Sequence, residues 1–180
     1  MEHTKRYTVI TGVSSGIGCE TAKAFADRSK NLIIAARRTE NLETLKREIA
    51  EQYPALDVVV RTVDLSVLEN VYQFYSSLKG FQLETWVNNA GFGNYDSVAQ
   101  QDLEKIDTML RLNVEALTIL SSLFVRDYKD VPGTQLINLS SCIRQSLNCL
   151  KSSAAAWCCT TSESLHMNRL RKWRDAQKGL

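Results

Sequence analysis

The chain has 180 residues and a mass of 20.3 kDa, with 44% hydrophobic residues, 23% charged residues and a formal net charge of +2. These values are typical of one globular domain and argue against a disordered or fibrous chain. No continuous apolar run approaches the roughly 18 residues of a membrane span and the first residues show no signal-peptide core, so we expect a cytoplasmic protein that binds neither membranes nor nucleic acids.

Strand-like and helix-like segments alternate along the first 140 residues. Strands are predicted over 7–11, 31–36, 57–63, 85–88 and 135–139, and helices over 16–29, around 42–49, over 67–78 and over 103–128. The helical segments place apolar residues every three or four positions, and the run over 31–36 is apolar throughout, as in a parallel strand covered on both faces. The alternation predicts an α/β fold with a doubly wound parallel sheet and right-handed crossovers.

The first turn of this pattern contains three glycines in the sequence Thr-Gly-Val-Ser-Ser-Gly-Ile-Gly over 11–18. Where a strand leads into a helix, backbone N–H groups and the positive helix end can receive a phosphate. Gly12 permits a tight turn, Gly16 lets the backbone approach a pyrophosphate, and Gly18 permits close helix–strand packing. The spacing G-x-x-x-G-x-G differs from the common G-x-G-x-x-G, and a steric turn without a ligand is the alternative.

Three further polar motifs follow in a fixed order along the chain. Asn-Asn-Ala-Gly over 88–91 closes the fourth strand, Asn113 lies in the long helical segment, and Asn-Leu-Ser-Ser over 138–141 closes the fifth strand. Together with the glycine turn they resemble the short-chain dehydrogenase/reductase family over about residues 5–141. The resemblance implies a Rossmann-type nicotinamide-binding domain and hydride transfer between a small carbonyl and an alcohol. The cofactor-binding residues that it implies in these motifs are Gly12, Ser14, Ser15, Gly16, Ile17, Gly18, Asn89, Ala90 and Gly91.

Two arginines follow the second strand, where a dinucleotide-binding fold meets the adenosine ribose. Guanidinium groups suit a 2′-phosphate, so Arg37 and Arg38 favour NADP over NAD, with Arg37 the preferred contact. The alternative is that the two arginines begin a solvated helix. Asp64, after the third strand, matches the family position that contacts the adenine, and it could equally cap the next helix.

Asn113 and Ser141 match two residues of the family's catalytic machinery. A polar amide on a largely buried helix should have a partner, and in the family the matching Asn binds a water of a proton relay. The alternative is an Asn on the exposed side of the helix. Ser141 matches the serine that hydrogen-bonds the substrate carbonyl, and a plain Ser-Ser turn is its alternative. The family commonly builds a homo-oligomer through the helix of Asn113, and this helix is apolar on more than one face. Contact with a second subunit is therefore one interpretation of the pattern, and packing in the core is the alternative.

The Tyr-x-x-x-Lys pair that the family uses for acid–base catalysis has no counterpart after Ser141. The best alignment places Trp157 at the Tyr position and Thr161 at the Lys position. An indole N–H donates hydrogen bonds but does not ionise at neutral pH, and Thr161 carries no charge. We therefore expect an NADP-dependent oxidoreductase with little or no turnover. The alternatives are a non-catalytic NADP-binding module and a fragment that does not fold stably.

The sequence changes character near residue 142. Four of the five cysteines lie over 142–159, and residues 151–180 contain six Lys or Arg but two Asp or Glu. We interpret 1–150 as the dinucleotide-binding domain, with a sheet incomplete at its C-terminal edge. Residues 151–180 form an atypical basic, cysteine-containing tail, for which two alternatives stay open: a disordered end, or a segment foreign to the fold, as after a frame shift or truncation. The adjacent cysteines lack metal-ligand spacing, so no metal site is predicted.

Overall fold

The computed structural model describes residues 5–93 and 98–139. Its strands are β1 Arg6–Thr11, β2 Asn31–Ala36, β3 Val58–Thr62, β4 Gln82–Asn88 and β5 Gln135–Asn138. Its helices are α1 Ile17–Ala26, α2 Thr39–Gln52, α3 Leu68–Ser76, α4 Leu103–Leu110 and α5 Leu117–Tyr128. A 3-10 turn at Val98–Gln100 precedes α4, and a π-helical turn at Arg111–Ala116 joins α4 to α5.

The predicted strands and helices are all present, with one clear difference at β4. This strand begins at Gln82 rather than at residue 85, and it includes the buried Glu84. The sequence argument stopped short of this carboxylate because a charged residue is unusual in a buried strand. Lys30 compensates for the burial, since its Nζ lies 3.1 Å from Oε1 of Glu84.

The five strands form one parallel sheet in the order β3-β2-β1-β4-β5. The chain adds β2 and β3 on one side of β1 and then crosses to place β4 on the other side. Such a reversal leaves a crevice outside the carboxyl ends of the two strands concerned, where open α/β sheets bind ligands. The doubly wound, Rossmann-type fold is thereby confirmed. We therefore expect a ligand-binding site at the carboxyl ends of β1 and β4.

Alternating side chains of the sheet form one apolar cluster on each face. On one face Ile33 and Trp86 pack against α3 and α5, and on the other Ile34 and Val87 pack against α1 and α2. Trp86 is fully buried, with its ring 5.6–6.0 Å from the rings of three other aromatic residues. Both faces of the central strands are therefore covered, which fixes the two layers of helices around the sheet.

Residues Leu103–Tyr128 form one continuous helix of 26 residues, here called the long helix. By length and composition this helix could cross a membrane, a weak criterion that core helices of globular proteins also meet. The sequence predicted a helix over these residues, but the search for a continuous apolar run did not single it out because polar residues interrupt the apolar ones. Leu120 and Phe124 of the long helix are buried against the sheet, as in a helix of an α/β layer.

Candidate functional site

The turn between β1 and α1 requires its glycines for two different reasons. Gly12 and Gly16 have φ angles of 72° and 62°, in the left-handed region that favours glycine. A Cβ at Gly12 would lie 2.6 Å from Cα of Ala90, and a Cβ at Gly18 would lie 2.4 Å from Nδ2 of Asn89. A Cβ at Gly16 would meet nothing within 4 Å. Gly12 and Gly18 thus permit close packing on the residues that follow β4, whereas Gly16 borders open space.

Hydrogen bonds from the residues after β4 hold the glycine turn in place. The backbone N–H groups of Asn89 and Ala90 both donate to Oγ1 of Thr11 at 3.1 Å. The Asn89 side chain donates from Nδ2 to the carbonyl oxygens of Thr11 and Gly12 at 3.0 and 2.9 Å. Asn89 therefore holds the glycine turn in place. The sequence had predicted Asn89 only as a cofactor contact. Thr11 belongs to the same clamp and was missed as a site residue.

The arginines after β2 face the glycine turn across the start of α2, and they differ in their contacts. Arg38 donates from Nη2 to Oγ of Ser14 at 3.1 Å and to Oγ of Ser15 at 3.4 Å. Arg37 is exposed, and its charge acts on Asp64. Sequence reasoning preferred Arg37 as the 2′-phosphate contact, whereas the structure brings Arg38 to the two serines. Both arginines line the same cleft.

Asp64 lies in the loop before α3 and does not cap that helix, whose N-cap is Val67 without a side-chain cap, and its adenine contact stays a prediction. Its Oδ1 accepts hydrogen bonds from the backbone N–H of Ser66 at 3.0 Å and from the Ser66 hydroxyl at 2.7 Å, so it organises the loop before α3. It also lines the cleft. Burial opposes its ionisation, but the two hydrogen bonds from Ser66 and the positive charge of Arg37 outweigh burial and hold the pKa of Asp64 below its usual value. Asp64 thus presents a carboxylate to the cleft at neutral pH.

Asn113 has the partner that its place on a packed helix predicts. Its Oδ1 accepts from the backbone N–H of Phe92 at 3.1 Å, and its Nδ2 donates to the Phe92 carbonyl at 2.7 Å. Asn113 lies in the π-helical turn, a feature that often marks functional sites. The paired bonds tie this turn to the loop after β4. The side chain acts as a positioning group here, and the water-binding role implied by the family is still a prediction.

A second polar network joins the ends of β4 and β5 to α5. Asn88 is buried, accepts from Nε1 of Trp86 at 2.7 Å, and donates to Oγ of Ser121 and Oδ1 of Asn138 at 2.9 Å each. The network fixes β5 beside β4, just before the predicted substrate-binding Ser141. Ser141 itself lies outside the described residues. The same holds for the positions aligned with the catalytic Tyr and Lys and for the cysteine-rich tail.

These elements surround one cleft of about 420 Å³ at the carboxyl ends of β1, β2 and β4. All eleven predicted cofactor-binding residues line it. Sequence reasoning missed the supporting contacts of Thr11, Arg38 and Asn41, because no local pattern marks a side chain that bonds to a distant turn. Over 5–93 and 98–139 there is no group of three or more His, Cys, Asp or Glu side chains that could hold a metal ion.

Comparison with known proteins finds the same family along most of the chain. A sequence model described as short chain dehydrogenase matches residues 6–155. The very-long-chain 3-oxoacyl-CoA reductase of Anas platyrhynchos is 29% identical over 140 residues, which are 75% of this chain and 45% of that protein.

Two solved structures share the fold. The bulky-bulky ketone specific alcohol dehydrogenase of Comamonas testosteroni matches with a TM-score of 0.71 and 26% identity, over 79% of this chain and 57% of that one. A short-chain dehydrogenase of Sphingobium yanoikuyae, solved in complex with NADPH, matches with a TM-score of 0.72 and 26% identity, over 79% of this chain and 56% of that one. The matched region therefore spans about half the length of these three relatives.

Proposed function

This chain belongs to the short chain dehydrogenase family, and from that premise we propose that it binds NADP(H) in the cleft described above. The observation that carries the proposal is that the glycine turn, both arginines after β2 and Asp64 line one continuous cleft. A turn with free backbone donors, a pair of guanidinium groups and a carboxylate match the pyrophosphate, the 2′-phosphate and the adenosine of one dinucleotide. The NADPH complex of the Sphingobium dehydrogenase supports this choice.

The cleft has room for a pyrophosphate at the N-terminus of α1. Gly16 is the N-cap of this helix, its missing side chain would point into open space, and no side chain caps the helix. The first N–H groups of α1 and its positive end are therefore left for an anion. Ile17 lines the cleft and is 46% exposed, which leaves an apolar surface beside the phosphates for the nicotinamide half of the coenzyme.

The reaction class that we propose is hydride transfer between NADP(H) and a small carbonyl or alcohol, with little or no turnover by this chain. The bound nicotinamide would supply or accept the hydride. Ser141 would orient the carbonyl oxygen, while Trp157 and Thr161 stand at the positions of the proton donor and its lysine. Because neither side chain transfers a proton at neutral pH, a non-catalytic NADP(H)-binding module is the second candidate.

Binding and turnover measurements on the purified 180-residue chain test these proposals. We expect NADPH fluorescence to change on binding, NADPH to bind more tightly than NADH, and NADPH to raise the melting temperature. Oxidation of NADPH across a panel of ketones and aldehydes then separates the two candidates, since steady turnover identifies an enzyme. If calorimetry detects binding of neither NADPH nor NADH, both candidate functions are refuted.

We also propose that the long helix contacts a second copy of the chain. Four of the nine exposed large apolar side chains among the described residues lie on this helix: Leu103, Leu110, Val114 and Val125, which are 79%, 52%, 56% and 45% exposed. Burying them between two copies would remove them from water. Sedimentation velocity checks this proposal: the double variant Leu110→Asp/Val114→Asp should shift a wild-type dimer to monomer, and a monomeric wild type would refute it.

A further inference from the structure

Asn41 contacts the glycine turn from outside the cleft. It lies in the first turns of α2, is half-buried, and donates from Nδ2 to the carbonyl oxygen of Ser14 at 2.8 Å. Arg38, three residues earlier, donates to the hydroxyl of the same serine. One helical turn of α2 therefore holds Ser14 by both its backbone and its side chain. Asn41 does not line the cleft, whereas Ser14, the residue of the glycine turn to which it bonds, does.

Holding the Ser14 carbonyl also sets the direction of the next N–H group. The described residues contain no cis peptide bond, and in a trans peptide the C=O of one residue and the N–H of the next point in opposite directions. With the Ser14 carbonyl bonded to α2, the N–H of Ser15 points away from α2. Both serines line the cleft beside Gly16. The contact from Asn41 thus fixes the peptide plane that leads into the proposed phosphate-binding turn.

The turn needs such a tether because its own sequence does not provide one. Gly16, at φ 62° and ψ −135°, has no side chain to restrict it, and no side chain caps the start of α1. A glycine turn of this kind samples many backbone conformations unless other contacts select one. On one side Asn89 bonds to the carbonyls of Thr11 and Gly12. On the other side Asn41 is the amide that bonds to the carbonyl of Ser14.

We propose that Asn41 is a positioning residue for coenzyme binding, which preforms the glycine turn for the pyrophosphate by donating to the Ser14 carbonyl. This inference rests on the proposed binding of NADP(H). Because the pyrophosphate is common to both coenzymes, Asn41 governs the affinity for NADPH and NADH alike. Arg38, by contrast, acts on the 2′-phosphate that only NADPH carries. The two residues share one helical turn and one contacted serine, yet they have separable effects on coenzyme selectivity.

Dissociation constants of NADPH and NADH for Asn41 variants test the proposal. Asn41→Ala should raise both by about fivefold, the equivalent of one hydrogen bond, and leave their ratio unchanged. Asn41→Asp keeps the size of the side chain but replaces the donor with an acceptor that repels the Ser14 carbonyl, so it should raise both constants further. Hydrogen exchange of residues 14–16 should be faster in both variants than in the wild type when no coenzyme is present.

The matched control is Asn31→Ala. Asn31 also uses its amide to hold backbone, donating to the Arg6 carbonyl at 3.2 Å and accepting from the Asp57 N–H at 3.0 Å, but at the opposite end of the sheet. This control should lower the melting temperature without changing either dissociation constant.

Three distinguishable results would overturn the proposal. If the wild type binds neither coenzyme, the proposed function fails and the inference fails with it. If the wild type binds while Asn41→Ala and Asn41→Asp bind equally well with unchanged exchange at 14–16, only the role of Asn41 is refuted. A loss confined to NADPH would also refute it, because that outcome assigns Asn41 to the 2′-phosphate.

Discussion

Replacing Arg38 by methionine should convert a preference for NADPH into near indifference between the two coenzymes. Methionine keeps an unbranched, flexible side chain but lacks the guanidinium group, so the substitution removes the charge and every donor. In the structure Arg38 bonds to the hydroxyls of Ser14 and Ser15 at 3.1 and 3.4 Å, which keeps the guanidinium beside the glycine turn. The substitution therefore removes a positive charge that is already held beside the glycine turn before any coenzyme binds.

The magnitude follows from the exposure of this side chain. A hydrogen bond to a charged group contributes about 1.5–3 kcal/mol, and an exposed group lies at the lower end because water and salt screen it. We expect a loss of about 1.5 kcal/mol for NADPH, which is about a tenfold rise in its dissociation constant. NADH has no 2′-phosphate, so its constant should rise only by the share of the lost hydrogen bonds to the Ser14 and Ser15 hydroxyls, about twofold because these bonds are exposed to water.

Fluorescence titration with both coenzymes at two salt concentrations measures the effect. Arg37→Met serves as the comparison, since Arg37 lines the same cleft without a hydrogen bond to either serine among the contacts of the described residues. A salt-dependent loss that is larger for NADPH than for NADH in Arg38→Met supports the reasoning. An equal loss for NADPH and NADH, or a loss of NADPH selectivity in Arg37→Met alone, would refute the assignment to Arg38.

Three other predictions concern the support of the cleft. In Gly18→Ala the new Cβ would lie 2.4 Å from Nδ2 of Asn89, so the free energy of unfolding should fall by about 1–3 kcal/mol. The melting temperature should fall by about 2–4 °C for each kcal/mol, and an unchanged melting curve would contradict the close packing. Asn113→Ala leaves both backbone groups of Phe92 without their partner, so hydrogen exchange should rise at 91–93; unchanged protection would contradict the paired bonds. Because the pKa of Asp64 is lowered in the fold, its ionised form stabilises the protein above the unfolded value of 3.8, and this stabilisation is lost as the pH falls through the lower folded value. In Asp64→Asn the free energy of unfolding should therefore depend less on pH in this range, and a pH dependence identical to that of the wild type would refute the prediction.

The order of strands and helices was readable because the signal is local. Parallel strands buried on both faces are apolar throughout, as over 31–36, and surface helices repeat their apolar residues every three or four positions. The prediction was less good where tertiary contacts override local character. Glu84 belongs to β4 because Lys30 reaches it from a distant turn, and the helix predicted over 103–128 contains a π-helical turn that no sequence pattern marked.

The eleven residues that the sequence predicted for the cofactor site all line the cleft, since the glycines and the residues that end each strand must gather at the carboxyl edge of a parallel sheet. Only the tertiary structure decided how each side chain is used. Asn41 reaches Ser14 across 27 positions, Arg38 reaches Ser14 across 24, and Asn113 reaches Phe92 across 21. Such contacts depend on how a helix is rotated and docked against its neighbours, and that orientation comes from packing of the whole core rather than from any local segment. Residue types and their spacing therefore predict which residues line a dinucleotide cleft. The packing of α2 and of the long helix determines which side chains hold the glycine turn and which can contact a ligand.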